Sequence, residues 1–142
     1  RIHWHERGLP RTPMHGEVQP EGLTRLLSRV WNEYAKDEGT VLYVTENGAA
    51  YDDVLVVDDG EKRVHDADRV DFVRDHLGAI LDAVDEGADV RGYFYWSLLD
   101  NFEWAWGYDK RFGIVRVDYD TQERTLKDSG REYARIIGDR AL

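Results

Sequence analysis

Glu46 and the stretch from Trp96 to Trp104 bring carboxylates and indole rings together in two short motifs. Thr45-Glu46-Asn47-Gly48 follows an unbroken apolar run, Val41-Leu42-Tyr43-Val44. Leu98-Leu99-Asp100-Asn101-Phe102-Glu103-Trp104 follows a second strand-like stretch at 90–97. A carboxylate can attack an anomeric carbon or stabilise an oxocarbenium-like centre, while further carboxylates hold sugar hydroxyls. Indole rings offer a flat apolar face and one N–H donor. Taken singly, a surface glutamate or a core tryptophan would need no function. Their shared position after two strands is what points to chemistry.

The flanking elements must carry those positions. Residues 1–20 hold Pro10, Pro13 and Pro20 without periodicity and read as a loop. Pro20 fits the first turn of a helix, and Leu23, Leu26, Leu27, Val30, Trp31 and Tyr34 then recur at helical spacing, predicting a helix over 20–37 that Gly39 ends. Val41–Val44 reads as a buried parallel strand. An Asp-rich loop is expected from 51 to about 66, with Asp66 or Asp68 capping a helix whose apolar face is Val70, Val73, Leu77, Ile80, Leu81 and Val84. Gly87 closes that helix. After the second strand, 112–126 alternates like a hairpin turning near 118–122, and a last helix over 128–137 buries Tyr133, Ile136 and Ile137. Helix and strand alternate with 20-odd residues of crossover, which implies parallel strands in an α/β fold. Two such strands cannot cover their own faces and edges, so a larger sheet is implied, an eight-stranded barrel or a doubly wound sheet. In both, sites lie at the carboxyl ends of strands.

Composition narrows the partners. The 142 residues are 42% hydrophobic and 12% aromatic, with a formal charge of −10, which argues against nucleic acid or an anionic membrane as partner. There is no cysteine for a disulfide or thiolate metal site. No apolar run approaches the ~20 residues of a membrane span, and the amino terminus lacks the apolar core of a signal peptide. His3, His5, His15, His65 and His76 show no metal-ligand spacing.

Three motifs carry a specific resemblance. Val44-Thr45-Glu46-Asn47-Gly48-Ala49-Ala50-Tyr51-Asp52-Asp53 resembles the nucleophile motif of glycoside hydrolase family 1. Arg91-Gly92-Tyr93-Phe94-Tyr95-Trp96-Ser97-Leu98-Leu99-Asp100-Asn101-Phe102-Glu103-Trp104 resembles that family's last-strand motif, and Phe112-Gly113-Ile114-Val115 with Asp118-Tyr119 resembles the hairpin after it. The similarity runs from Met14 to Ile137. It implies that residues 1–142 are one carboxy-terminal fragment, about the last two β/α units, of a (β/α)8 TIM barrel domain. It also implies a retaining β-glucosidase that uses no cofactor or metal and acts on a β-glucoside or short β-linked oligosaccharide. Glu46 corresponds to the nucleophile, Trp96 to the ring beneath the sugar, Glu103 to the acceptor for the 4- and 6-hydroxyls, and Trp104 to the donor to the 3-hydroxyl. By the same resemblance Phe112 is expected to line the pocket near the 6-position, or else to serve packing. A cytoplasmic location is expected. Lys110 and Arg111 read as ordinary loop charges, and the anionic Glu103 would repel a sugar phosphate, which favours an unphosphorylated substrate.

The resemblance also marks gaps. The family's acid/base glutamate belongs to an Asn-Glu-Pro motif upstream, and Asn32-Glu33 here is followed by Tyr34 within a helix. The expected partner is therefore the missing amino-terminal part of the barrel, without which the fragment is inactive. Where the family reads Met-Gly-Trp-Glu before the first helix, this sequence reads Met14-His15-Gly16-Glu17, with Trp4 a candidate to replace the lost ring. A non-catalytic fragment or sugar-binding module is the alternative. An independent doubly wound domain is disfavoured because no Gly-rich phosphate loop follows either strand.

Overall fold

The computed structural model describes residues 7–142; the expectations for His3, Trp4 and His5 lie outside the described residues. Helix α1 (Pro20–Val30) has Pro20 in its first turn and continues into a π-helical turn, Trp31–Ala35, in which Lys36 N–H donates to Trp31 O at 2.9 Å. The predicted 20–37 helix is therefore regular only as far as Val30. Gly39 ends it at φ +65°.

Strand β1 (Leu42–Asn47) then leads to a hairpin, β2 (Leu55–Asp58) and β3 (Glu61–Val64), where a loop was expected. Asp59 and Gly60 both have positive φ, 49° and 80°, as the tightest hairpin turns require. Helix α2 (Ala67–Asp85) returns the chain to β4 (Val90–Tyr95). A single 3-10 turn, Trp104–Trp106, follows. The antiparallel pair β5 (Val115–Val117) and β6 (Arg124–Leu126) matches the expected hairpin, and α3 (Asp128–Asp139) closes the described chain.

β1 and β4 pair in parallel and, among the described residues, only with each other. One face of the pair packs on the helices around Leu27, Val44, Ile80, Ala83 and Ala88, with Leu23, Leu77 and Tyr93 against them. The other face leaves Tyr43 and Phe94 exposed. The predicted apolar stripes are only partly covered: α2 packs between α1 and α3, and the sides turned away from these contacts stay open. Leu26, Tyr34, Leu81, Val84 and Ile137 are exposed instead of buried.

The segments that follow β1 and β4, with the starts of α2 and α3, hold a buried charge cluster. Arg69 pairs with Asp53 at 2.8 Å and with Asp66; Lys127 pairs with Asp100 at 2.9 Å and with Asp53; Arg111 pairs with Asp100 at 2.6 Å. Three acids thus balance three bases, which is what makes their burial tolerable. Arg111 is not a loop charge: it also donates to Val117 O at 3.0 Å, and its own carbonyl accepts from Arg69. Lys110 lies over the Trp106 ring at 5.2 Å. Asp66 stands at the N-cap position of α2, yet its side chain makes no cap there and turns into this cluster.

Candidate active site

Both predicted chemical clusters sit at the carboxyl ends of the paired strands. Glu46 is the penultimate residue of β1 and is exposed; Trp96 follows the last residue of β4 and is 38% exposed. The two ends are tied by their backbones, since Trp96 N–H donates to Asn47 O at 3.0 Å. Gly48 packs directly on the Trp96 carbonyl, so close that any Cβ at position 48 would collide with it. Thus Glu46 and Trp96 are brought to one place by adjacent strands, as the motif order implied.

The register around Glu46 is irregular. Val44 stands opposite Tyr93 and Asn47 opposite Tyr95, so three steps along β1 face two along β4. The surplus residue falls at Thr45–Glu46. The Tyr93 hydroxyl lies 3.0 Å from Asn47 Oδ1 and 3.3 Å from Asn47 O. Burial pushes the Tyr93 phenol well above its ordinary pKa, with Tyr95 and Tyr133 adding to the effect, so it remains a donor.

Glu103 and Trp104 occupy the loop beyond. Glu103 N–H donates to Gly107 O at 2.6 Å and Trp106 N–H to Glu103 O at 2.8 Å, closing a tight turn. That turn leaves Trp104 82% exposed. Phe102 meets Tyr108 edge-on at 5.5 Å, and Tyr108 meets Tyr119 at 4.5 Å, which stiffens the loop's flank. Among the described residues, no hydrogen bond joins Glu103 or Trp104 to the Glu46–Gly48 segment.

Phe112 is half-buried, and its carbonyl accepts from the Tyr95 hydroxyl at 3.2 Å and from Ser97 N–H at 3.4 Å. With Asn47, Gly48, Met14, Gly16 and His76 it lines a cavity of about 340 Å³. Gly16 therefore borders the segment that follows Glu46. Glu33, the other half of the Asn-Glu pair, is exposed and bound to Arg29 at 3.0 Å. It lies in the helical turn before the start of β1, whereas Glu46 is near the other end of that strand.

Sequence reading missed the buried acids that follow these residues. Asp53, in the same motif as Glu46, is fully buried against Arg69 and Lys127. Asp100, in the motif of Trp96, accepts Gly113 N–H at 3.0 Å and Val117 N–H at 3.3 Å. The signal was present only as acids within apolar motifs.

A family model described as glycosyl hydrolase family 1 matches residues 3–141. The chain belongs to glycosyl hydrolase family 1. It is 51% identical over all 142 residues to β-glucosidase A of Thermotoga maritima, of which it covers 30%. Over 139 residues it is 50% identical to a bifunctional β-D-glucosidase/β-D-fucosidase of Bifidobacterium breve, covering 97% of this chain and 30% of that one. A 6-phospho-β-galactosidase of Staphylococcus epidermidis is 44% identical over 134 residues, or 94% of this chain and 28% of its own. The solved Thermotoga maritima family 1 β-glucosidase superposes with a TM-score of 0.87 at 50% identity, covering 97% of this chain and 30% of that one. The same enzyme in complex with deoxynojirimycin gives 0.88. The chain spans about 30% of the length of these relatives, and its fold is that of a part of the family 1 α/β barrel.

Proposed function

We propose that this segment is the nucleophile-bearing part of a retaining β-glucosidase that acts on unphosphorylated β-D-glucosides. The observation that carries the proposal is Glu46, exposed at the end of β1 and tied through Asn47 to Trp96 at the end of β4. In the reaction a Glu46 oxygen attacks the anomeric carbon as the glycosidic C–O bond breaks, giving a covalent glycosyl-enzyme that water then hydrolyses. The leaving oxygen takes a proton from a second carboxylate, which must stand about 5–5.5 Å from the first. Glu33 is at the wrong end of β1 for that role, so the acid comes from the upstream part of a longer barrel chain, and the 142-residue chain alone is inactive.

Glu103 supports the choice of substrate. A fixed anion suits hydroxyl donors and opposes a 6-phosphate, which weighs against the substrate named for the Staphylococcus relative. Trp96 beneath the sugar and Trp104 beside it complete the binding set, with Phe112 near the 6-position. The wide exposure of Trp104 and Trp106 favours, as a second reading, carbohydrate binding without catalysis.

Hydrolysis of a chromogenic aryl β-glucoside decides between them. The full-length barrel chain carrying this segment turns over and its Glu46→Gln variant does not, while still binding sugar. Glu46-dependent turnover by the 142-residue chain alone would mean that the acid lies within it.

A further inference from the structure

We propose that Tyr93 is a positioning residue for Glu46, acting through a hydrogen bond from its partly buried hydroxyl to Asn47. The inference rests on the nucleophile reading of Glu46 and adds how that carboxylate is aimed. In a regular parallel ladder evenly spaced bonds to the neighbouring strand hold every second residue and so fix those between. Between Val44 and Asn47 the pairing of β1 with β4 slips by one residue, and Glu46 lies within the slip. Such an irregularity turns a side chain to a new direction and removes the ladder's hold on it. Whatever fixes Glu46 must then act at its ends.

At the near end Val44 is buried in the core and opposite Tyr93. At the far end Asn47 is gripped twice. Its carbonyl accepts Trp96 N–H at 3.0 Å, and its side-chain oxygen lies 3.0 Å from the Tyr93 hydroxyl. The Tyr93 hydroxyl has a single hydrogen, and the side-chain oxygen is its shorter contact; the backbone oxygen is 3.3 Å away. Tyr93 thus stands across from one end of the slip and bonds the other end. The ring itself is firmly seated, packing on the helix-facing core and meeting Tyr133 edge-on at 6.1 Å, while its carbonyl accepts from the Tyr133 hydroxyl at 3.4 Å. A rigid donor beside a bulge that carries the nucleophile is a brace for that nucleophile.

The competing role is core packing alone, and Tyr93→Phe separates the two because it keeps the ring and removes the bond. In the full-length barrel chain, Tyr93→Phe is expected to lower kcat on an aryl β-glucoside about tenfold, the size of one net hydrogen bond. KM should stay within about twofold, and the thermal midpoint should barely move. Combined with Asn47→Ala, which removes the acceptor, the loss should be clearly less than the product of the two single losses. A kcat within about twofold of the parent, or losses that simply multiply, would overturn the positioning role. Tyr93→Leu, made alongside, should lose stability whether or not Phe loses rate. Glu46→Gln separates the two levels of inference. Its retained turnover would defeat both, whereas its loss with an unchanged Tyr93→Phe would defeat only the brace.

Discussion

The Asp66 carboxylate accepts the backbone N–H of Ser129 at 2.9 Å and its hydroxyl at 2.6 Å. Ser129 is in the first turn of α3, where N–H groups have no partner within the helix. A residue at the start of α2 therefore caps α3 and aligns the two helix starts. Asp66 also holds Arg69, so the cap and the charge cluster share one carboxylate.

This shared role predicts unequal costs. Ser129→Ala removes one hydroxyl bond and should destabilise the full-length barrel by about 1 kcal/mol. Asp66→Ala also strands part of a buried guanidinium and should cost roughly 3–5 kcal/mol. Thermal or urea midpoints of the two variants check the ratio, and equal shifts would remove Asp66 from the cluster's economy.

Glu103→Ser should weaken glucoside hydrolysis far more than it disturbs folding. Loss of charged hydrogen bonds to two hydroxyls predicts a fall in kcat/KM of about 10–100-fold, with the unfolding midpoint nearly unchanged. Unchanged kinetics would end the hydroxyl-binding role.

His76 supplies a pH dependence. It is buried in a stack on Phe72 at 3.8 Å, and its Nδ1 lies 2.8 Å from Phe72 O. Burial lowers its pKa below the ordinary 6.5, against the opposing pull of that carbonyl, Asp75 and Glu21. Below pH 6.5 the unfolded chain gains a proton that the folded one resists. Its contribution to stability is therefore full above that pH and lost as pH falls toward the lowered value. Unfolding midpoints between pH 7.5 and 5 should fall less steeply for His76→Gln than for the parent.

The isolated 142-residue chain should behave as a marginal fold. β1 and β4 each keep an open edge, and Leu26, Tyr34 and Phe94 lie uncovered. Dye binding to exposed apolar surface, weak near-UV dichroism and gradual melting are expected. A sharp cooperative transition in dilute monomer would refute this.

Contiguity decided what the sequence revealed. Glu46 and Trp96 were legible because each lies inside an unbroken motif at the end of an apolar run, and the alternation of helix and strand set both runs parallel. The β2–β3 hairpin was hidden by its acids, although Asp59-Gly60 between Leu55-Val56-Val57 and Arg63-Val64 was a turn signal. The π turn left the helical spacing of Trp31 and Tyr34 unbroken, so nothing announced it. Arg111 looked like a solvated charge because its partner Asp100 was placed by a chain reversal that spacing does not encode. The grip of Tyr93 on Asn47 depends on strand register, which no single strand displays.

The charge cluster joins residues that are distant along the chain: Asp53 to Lys127 across 74 positions and Asp66 to Ser129 across 63. Neither contact can form until both β/α units have been laid out. Closing loops of that size costs entropy that only the completed set of bonds repays. The cluster can thus be complete only when both units are in place, beside the strand pairing and helix packing that also join them. It also fixes what can vary independently. Exposed loop positions can change one at a time, whereas the six paired charges can drift only as a set.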